Sequence, residues 1–432
     1  MQINRRNFLT LAGGVAAAAT LTSCAGTGGS GAPQAGEEGL ITFWSNHPGK
    51  SKDLEQQLID AFVAENPGTR VELVDGGANY EELAQKFNAA LTGGDLPDVI
   101  VASDVTWFNF ALNDAITPLD ELWTTTGVDS DDYVDTLRED YALNGQHYAM
   151  PYSRSTCLMY YNRDLWQAAG LDDRGPQTWD EFNEFATRLR ASDPNVAPLV
   201  IPDGSNYLDW YFQGMIWTFG GKYSDEWDMT TITSPESIEA GKFLQSMVNE
   251  NKIRITKDPV NEFGTGLAAG LLESTGSLGG LRTEAKINFN TAYLPGPPPG
   301  CPTGGAGLAV PNGISDERKE LAVKFIDFIT NAENTSTFTQ TTGYMPVRKS
   351  ALEDPSEKAF LESEPRALTA INQLNENTAP QDYARVFVQG GGRRIGEGLD
   401  RISTGGQDVE GVFKGIADES ARIVERDIQP KL

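Results

Sequence analysis

The chain has 432 residues, a formal net charge of −27 and only two histidines. That charge argues against nucleic acid as a partner, because affinity for phosphate backbones rests on Lys and Arg. A hydrophobic content of 39%, with 19 Phe, 13 Tyr and 8 Trp, excludes a disordered chain, and the length suits two domains better than one core.

At the N-terminus Arg5-Arg6 precede Phe8-Leu9 and a weak apolar run from Leu9 to Leu21. A spanning helix needs about 20 apolar residues, so this run is too short and has the layout of a secretory signal. The arginine pair points to the twin-arginine export route. Leu21-Thr22-Ser23-Cys24 resembles the lipobox of bacterial lipoproteins, in which the cysteine is lipidated. The expectation is a signal peptide over 1–23, lipid attachment at Cys24 and a flexible linker over 24–39. That places the body outside the cell membrane, anchored to its outer face.

The body opens with a short apolar run, Leu40–Trp44, which reads as a strand. Leu54, Leu58, Ala61, Phe62 and Val63 recur at helical spacing within 52–65, and Asn66-Pro67 ends that helix. Val71–Val74 is a second strand. Asn79 and Glu82 form a capping-box-like start to another helix, which Gly93-Gly94 stop. Pro97–Val101 then reads as a buried strand. This β-α-β-α-β order predicts a parallel sheet with helices on both faces. Further on, helices are expected at 178–190, 206–219, 234–250, 260–270, 316–330, 333–341 and 350–375. A last run covers 384–428, broken at Gly390–Gly392 and Gly405-Gly406.

Two motifs look like cofactor sites and fail. His47-Pro48-Gly49-Lys50-Ser51 ends like a P-loop, but Trp44 occupies the position of its first glycine. Gly264-Thr265-Gly266-Leu267-Ala268-Ala269 imitates a dinucleotide fingerprint, yet a helix-like stretch precedes it where a strand should. No HExxH, CxxC or GxSxG occurs, so Ser-His or Cys-His catalysis and His-rich zinc sites are hard to build, while paired carboxylates among 61 acidic residues stay open. The reading adopted is of no metal, cofactor or catalytic residue. Cys157 and Cys301 could pair in an oxidising compartment, but two free, partly buried thiols are the reading adopted.

FWSNHPGKS, AQKFNAALTGGDLPDVIV and YAMPYSRSTCLMYYNRDLWQAAGL resemble the large sugar-type solute-binding proteins of ABC importers. TGSLGG, CPTGGAGLAVP, ERKELAVKFIDFIT and TGYMPVRKSA extend the resemblance over nearly the whole body. Within that family it is strongest to the actinobacterial lipoproteins that bind glycerol-3-phosphate or glycerophosphocholine for Ugp-type importers. The resemblance implies an α/β two-lobe fold of the type II periplasmic-binding-protein kind, with ligand at a hinged interface. Lobe 1 would be 40–152 with 306–343, and lobe 2 would be 153–305 with 344–432. It also implies partners: a small glycerophosphodiester and the permease subunits of the importer. The protein would act as a monomer.

Residue by residue, the resemblance assigns the glycerol hydroxyls to Tyr80 and Asp104. It assigns the phosphate to Ser155, Ser274, Gly305, Tyr344 and Arg385, with Ser277 competing with Ser274. Trp210, then Tyr207, would wall the outer end of the ligand. The chemistry agrees: an Arg fork matches phosphate oxygens, Gly permits close backbone approach, and an indole face attracts a quaternary ammonium. Two other readings stay open. One is the same fold binding a neutral oligosaccharide, with Arg385 incidental. The other is an extracytoplasmic hydrolase, which lacks any local nucleophile signature.

Overall fold

A computed structural model describes residues 38–432; the expected signal, Cys24 and most of the linker lie outside the described residues. The described residues lie in one compact unit. Strand Leu40–Ser45 pairs in parallel with Arg70–Asp75 and with Val99–Ser103. Helices Lys52–Glu65 and Tyr80–Gly93 connect them, as the apolar spacing predicts. Asn79 caps the second helix by accepting from the Glu82 N–H, and Glu82 reaches back to the Ala78 N–H. Gly94, at φ 92°, ends it in a left-handed turn.

Two long strands tie this half to the rest. Met150–Asn162 is buried along its whole length. Cys301–Ala309 pairs antiparallel with Val99–Ser103 through its C-terminal end and with the N-terminal half of Met150–Asn162. The C-terminal half of Met150–Asn162 pairs instead with Gly270–Ser274 and Phe289–Ala292. Leu199–Pro202 and Ile253–Thr256 complete the second half of the sheet. Both long strands therefore run from one half of the molecule into the other. Strands buried on both faces read as continuous apolar runs; in MPYSRSTCLMYYN that run is interrupted by Ser155, which lines a cavity, by Thr156, which accepts from the buried Gln373 amide, and by Asn162, which caps the following helix.

Helices Trp179–Ser192, Leu208–Thr218, Pro235–Asn249, Asp316–Ile329 and Ala332–Thr342 match the expected spans closely. Two expectations fail. The span 260–270 is a short helix, Pro259–Gly264, followed by the start of strand Gly270–Ser274. The span 350–375 is three helices, because Pro355 and Pro365 each open a new one at its first position. The cysteines are free, as read, but both are wholly buried rather than partly so. Cys301 Sγ lies 3.5 Å from the Cys157 carbonyl oxygen.

Candidate functional site

All nine residues singled out above line one cavity of about 370 Å³ between the two halves. The fold brings them there from eight separate segments. Tyr80 opens a helix, and Asp104 follows the carboxyl end of Val99–Ser103, where open α/β sheets place their ligands. Ser155 and Gly305 lie on the two long strands, with Ser155 opposite Gly304 and Gly305 opposite Arg154. The Asp104 N–H donates to the Gly305 carbonyl at 3.0 Å, which fixes these two segments together.

The aromatic wall is tightly set. Trp210 is 6% exposed, and its Nε1 donates to the Thr303 carbonyl at 3.0 Å. Its indole lies against Gly304 so closely that a Cβ there would come within 2.5 Å of the ring. Tyr207 adopts φ 69°, a conformation disfavoured for a bulky residue, and its hydroxyl donates to Glu81 at 3.0 Å. Glu81 belongs to the helix that Tyr80 opens, so this bond crosses the cleft. Tyr344 stacks on Phe338 at 5.8 Å and presents its ring to Gly49 and Gly276. Ser274 Oγ accepts from the Gly276 N–H at 3.1 Å, and Ser277 lines the same cavity.

Arg385 is the electrostatic centre. It is 2% exposed, and its Nε donates to Asp209 at 2.7 Å. Its Nη1 donates to Asp104 at 3.1 Å and to Gln381, whose own amide donates to Asp104. Among the described residues no protein group accepts from Nη2, which leaves that edge of the guanidinium for the cavity. Burial pushes the Asp209 carboxyl up to about 6, while Arg385 pulls the other way. Burial raises the Tyr80 hydroxyl, and the charge on Asp104 adds to that.

Sequence reasoning missed Asn46 and Glu273, which also line the cavity; His47 and Tyr211 line it too, from a stretch after the first strand and from the aromatic segment around Trp210. Asp209 and Gln381 were missed as partners of Arg385. Glu273 directly precedes Ser274 and Asp209 directly precedes Trp210, so adjacency to chosen residues was the available signal. A larger cavity of about 700 Å³ lies beyond Asp104. It contains only Asp104 of the nine, so the polar groups named above converge in the smaller one. No group of three or more metal-ligating side chains occurs among the described residues.

Residues 57–365 match the model of a family described as bacterial extracellular solute-binding protein. The chain belongs to that family. Among solved structures, UgpB of Mycobacterium tuberculosis in complex with glycerophosphocholine is 48% identical, with TM-score 0.87 over 91% of this chain and 100% of that one. The sn-glycerol-3-phosphate-binding periplasmic protein UgpB of Escherichia coli K12 is 28% identical over 89% of this chain and 92% of its own. The acarbose-binding GacH receptor of Streptomyces glaucescens is 20% identical with TM-score 0.78, over 90% and 98%, and shares the fold alone. These relatives are two-lobe solute-binding proteins of transport systems, so the two halves seen here are the lobes of that fold.

Proposed function

We propose that this solute-binding protein captures glycerophosphodiesters, glycerophosphocholine above all, and delivers them to an ABC permease. The observation that carries this is the convergence of an Arg385 guanidinium edge, two serines and the Gly305 backbone with a Trp210–Tyr207 wall in one cavity. The first set suits a phosphate and the second a quaternary ammonium. The kinship with a protein solved around glycerophosphocholine supports the same ligand. The protein binds its ligand without transforming it. Ligand draws the lobes together by hinge bending, and the permease reads the closed form. We take the lobes as 40–152 with 306–343 and 153–305 with 344–432. Twin-arginine export and lipidation at Cys24 would tether the protein at the outer face of the membrane.

Trp210→Ala tests the head-group half of this reading. It is expected to weaken glycerophosphocholine by about thirtyfold more than glycerophosphoglycerol, which has no cation, because a desolvated cation–π contact contributes about 2 kcal/mol. Calorimetry with both diesters measures this; equal losses would return Trp210 to a packing role.

The pH dependence follows from Asp209. Its pKa in the free protein is raised to about 6. A bound phosphate adds negative charge beside it and raises it further, so binding takes up a proton. Affinity for glycerophosphocholine is therefore expected to rise as pH falls from 7.5 through 6 to 5. The ligand's own charges do not titrate in that range. Titrations at these three pH values check the sign; affinity that falls as pH is lowered would contradict it.

A further inference from the structure

Glu273 is the penultimate residue of strand Gly270–Ser274 and lines the ligand cavity, yet neither the phosphate nor the head-group assignment uses it. Its Oε1 is held by two donors, the Tyr211 hydroxyl at 2.6 Å and the Ser274 N–H at 2.8 Å. No Lys, Arg or His among the described residues forms an ion pair with either oxygen. Burial acts against its charge, and only the neutral donors Tyr211, Ser274 and Ser277 oppose that.

The basic residues that line the cavity already lie against carboxylates. Arg385 faces Asp104 and Asp209. His47 Nδ1 lies 2.6 Å from Glu55. Lys50 is 81% exposed at the rim, 3.7 Å from Glu284. A ligand phosphate with one negative charge finds the free edge of Arg385. A second negative charge finds no cation without an acidic neighbour and shares a confined, low-dielectric space with Glu273.

We propose that Glu273 is a specificity-determining residue: its carboxylate, matched by no cation, excludes phosphomonoester dianions and reserves the cavity for phosphodiesters with a single charge. This rests on the reading of the cavity as a glycerophosphodiester site. It also separates the two ligands named for the relatives, since glycerol-3-phosphate is a monoester and glycerophosphocholine a diester.

The test is titration of the wild type, Glu273→Gln and Glu273→Asp at pH 8 with glycerophosphocholine, glycerol-3-phosphate and the methyl ester of glycerol-3-phosphate. In the wild type the methyl ester, which lacks one charge, is expected to bind at least about tenfold tighter than the parent monoester. Glu273→Gln is expected to narrow the preference for diester over monoester by about tenfold or more, and Glu273→Asp to retain most of it. A preference unchanged within about twofold in the Gln variant would overturn the proposal. So would equal narrowing in Gln and Asp, which would mark loss of shape rather than of charge. Should Glu273→Gln not fold, equal wild-type binding of monoester and methyl ester would still overturn it. Failure of the wild type to bind glycerophosphocholine would instead remove the functional reading beneath it.

Discussion

Arg385→Ala is expected to weaken glycerophosphocholine binding by about tenfold to a hundredfold, since a hydrogen bond to a charged group contributes about 1.5–3 kcal/mol. The loss has two parts. The phosphate loses the free guanidinium edge, and Asp104 and Asp209 turn from partners of a cation into a bare negative pair at the cavity wall. Asp209 is 1% exposed, so the variant also leaves a buried carboxylate without its cation, at a cost of about 3–5 kcal/mol. Arg385→Lys separates the effects. It keeps the charge but cannot fork between Asp209, Asp104 and a ligand, so it should recover stability more than affinity. Calorimetry and denaturant unfolding of both variants give the comparison. Binding by Arg385→Ala within about threefold of wild type would place the phosphate elsewhere.

Gly305→Ala should have the largest effect on the fold around the site. Gly305 sits at φ 103°, where an L-residue is strained by about 1–3 kcal/mol. A Cβ there would also meet the Ser153 carbonyl oxygen at 2.0 Å, on the paired long strand. Backbone cannot swing aside as a side chain can, so the two crossing strands must separate. The Gly305 carbonyl that holds the Asp104 N–H would move with them. A destabilisation of about 3 kcal/mol or more by denaturant unfolding is expected, with loss of binding in whatever remains folded. Stability within about 1 kcal/mol of wild type would mean that this junction is looser than its geometry implies.

Much of the first half was legible because its signals are local. Apolar spacing, the Asn79 cap and the Gly93-Gly94 stop each act within a few residues, and the observed elements follow them. Pro355 and Pro365 were equally local but were overrun by a periodic pattern that crosses both. The long strands were not legible as strands. Met150–Asn162 pairs with Gly270–Ser274 and Cys301–Ala309, more than a hundred residues away, and no local pattern announces such pairing.

The site divides in the same way. Ser155, Gly305, Tyr344 and Arg385 sit in short motifs whose resemblance to a family could be read, and the fold gathers them with the others into one cavity. The charges that tune them could not be read. Which of 61 acidic residues would meet Arg385 depends on where helix Leu208–Thr218 docks, and that is a tertiary fact. Adjacency to Ser274 and Trp210 hinted at Glu273 and Asp209, but their partners, and Gln381, follow only from the assembled segments.

The most direct test is calorimetric titration of residues 40–432 with glycerophosphocholine, glycerol-3-phosphate and maltose in parallel. Tight binding of glycerophosphocholine, with glycerol-3-phosphate far weaker and maltose silent, is the result predicted by a cavity with one free cationic edge, an aromatic wall and a Glu273 that no cation matches. Binding of maltose alone would keep the two-lobe fold and contradict the phosphodiester site.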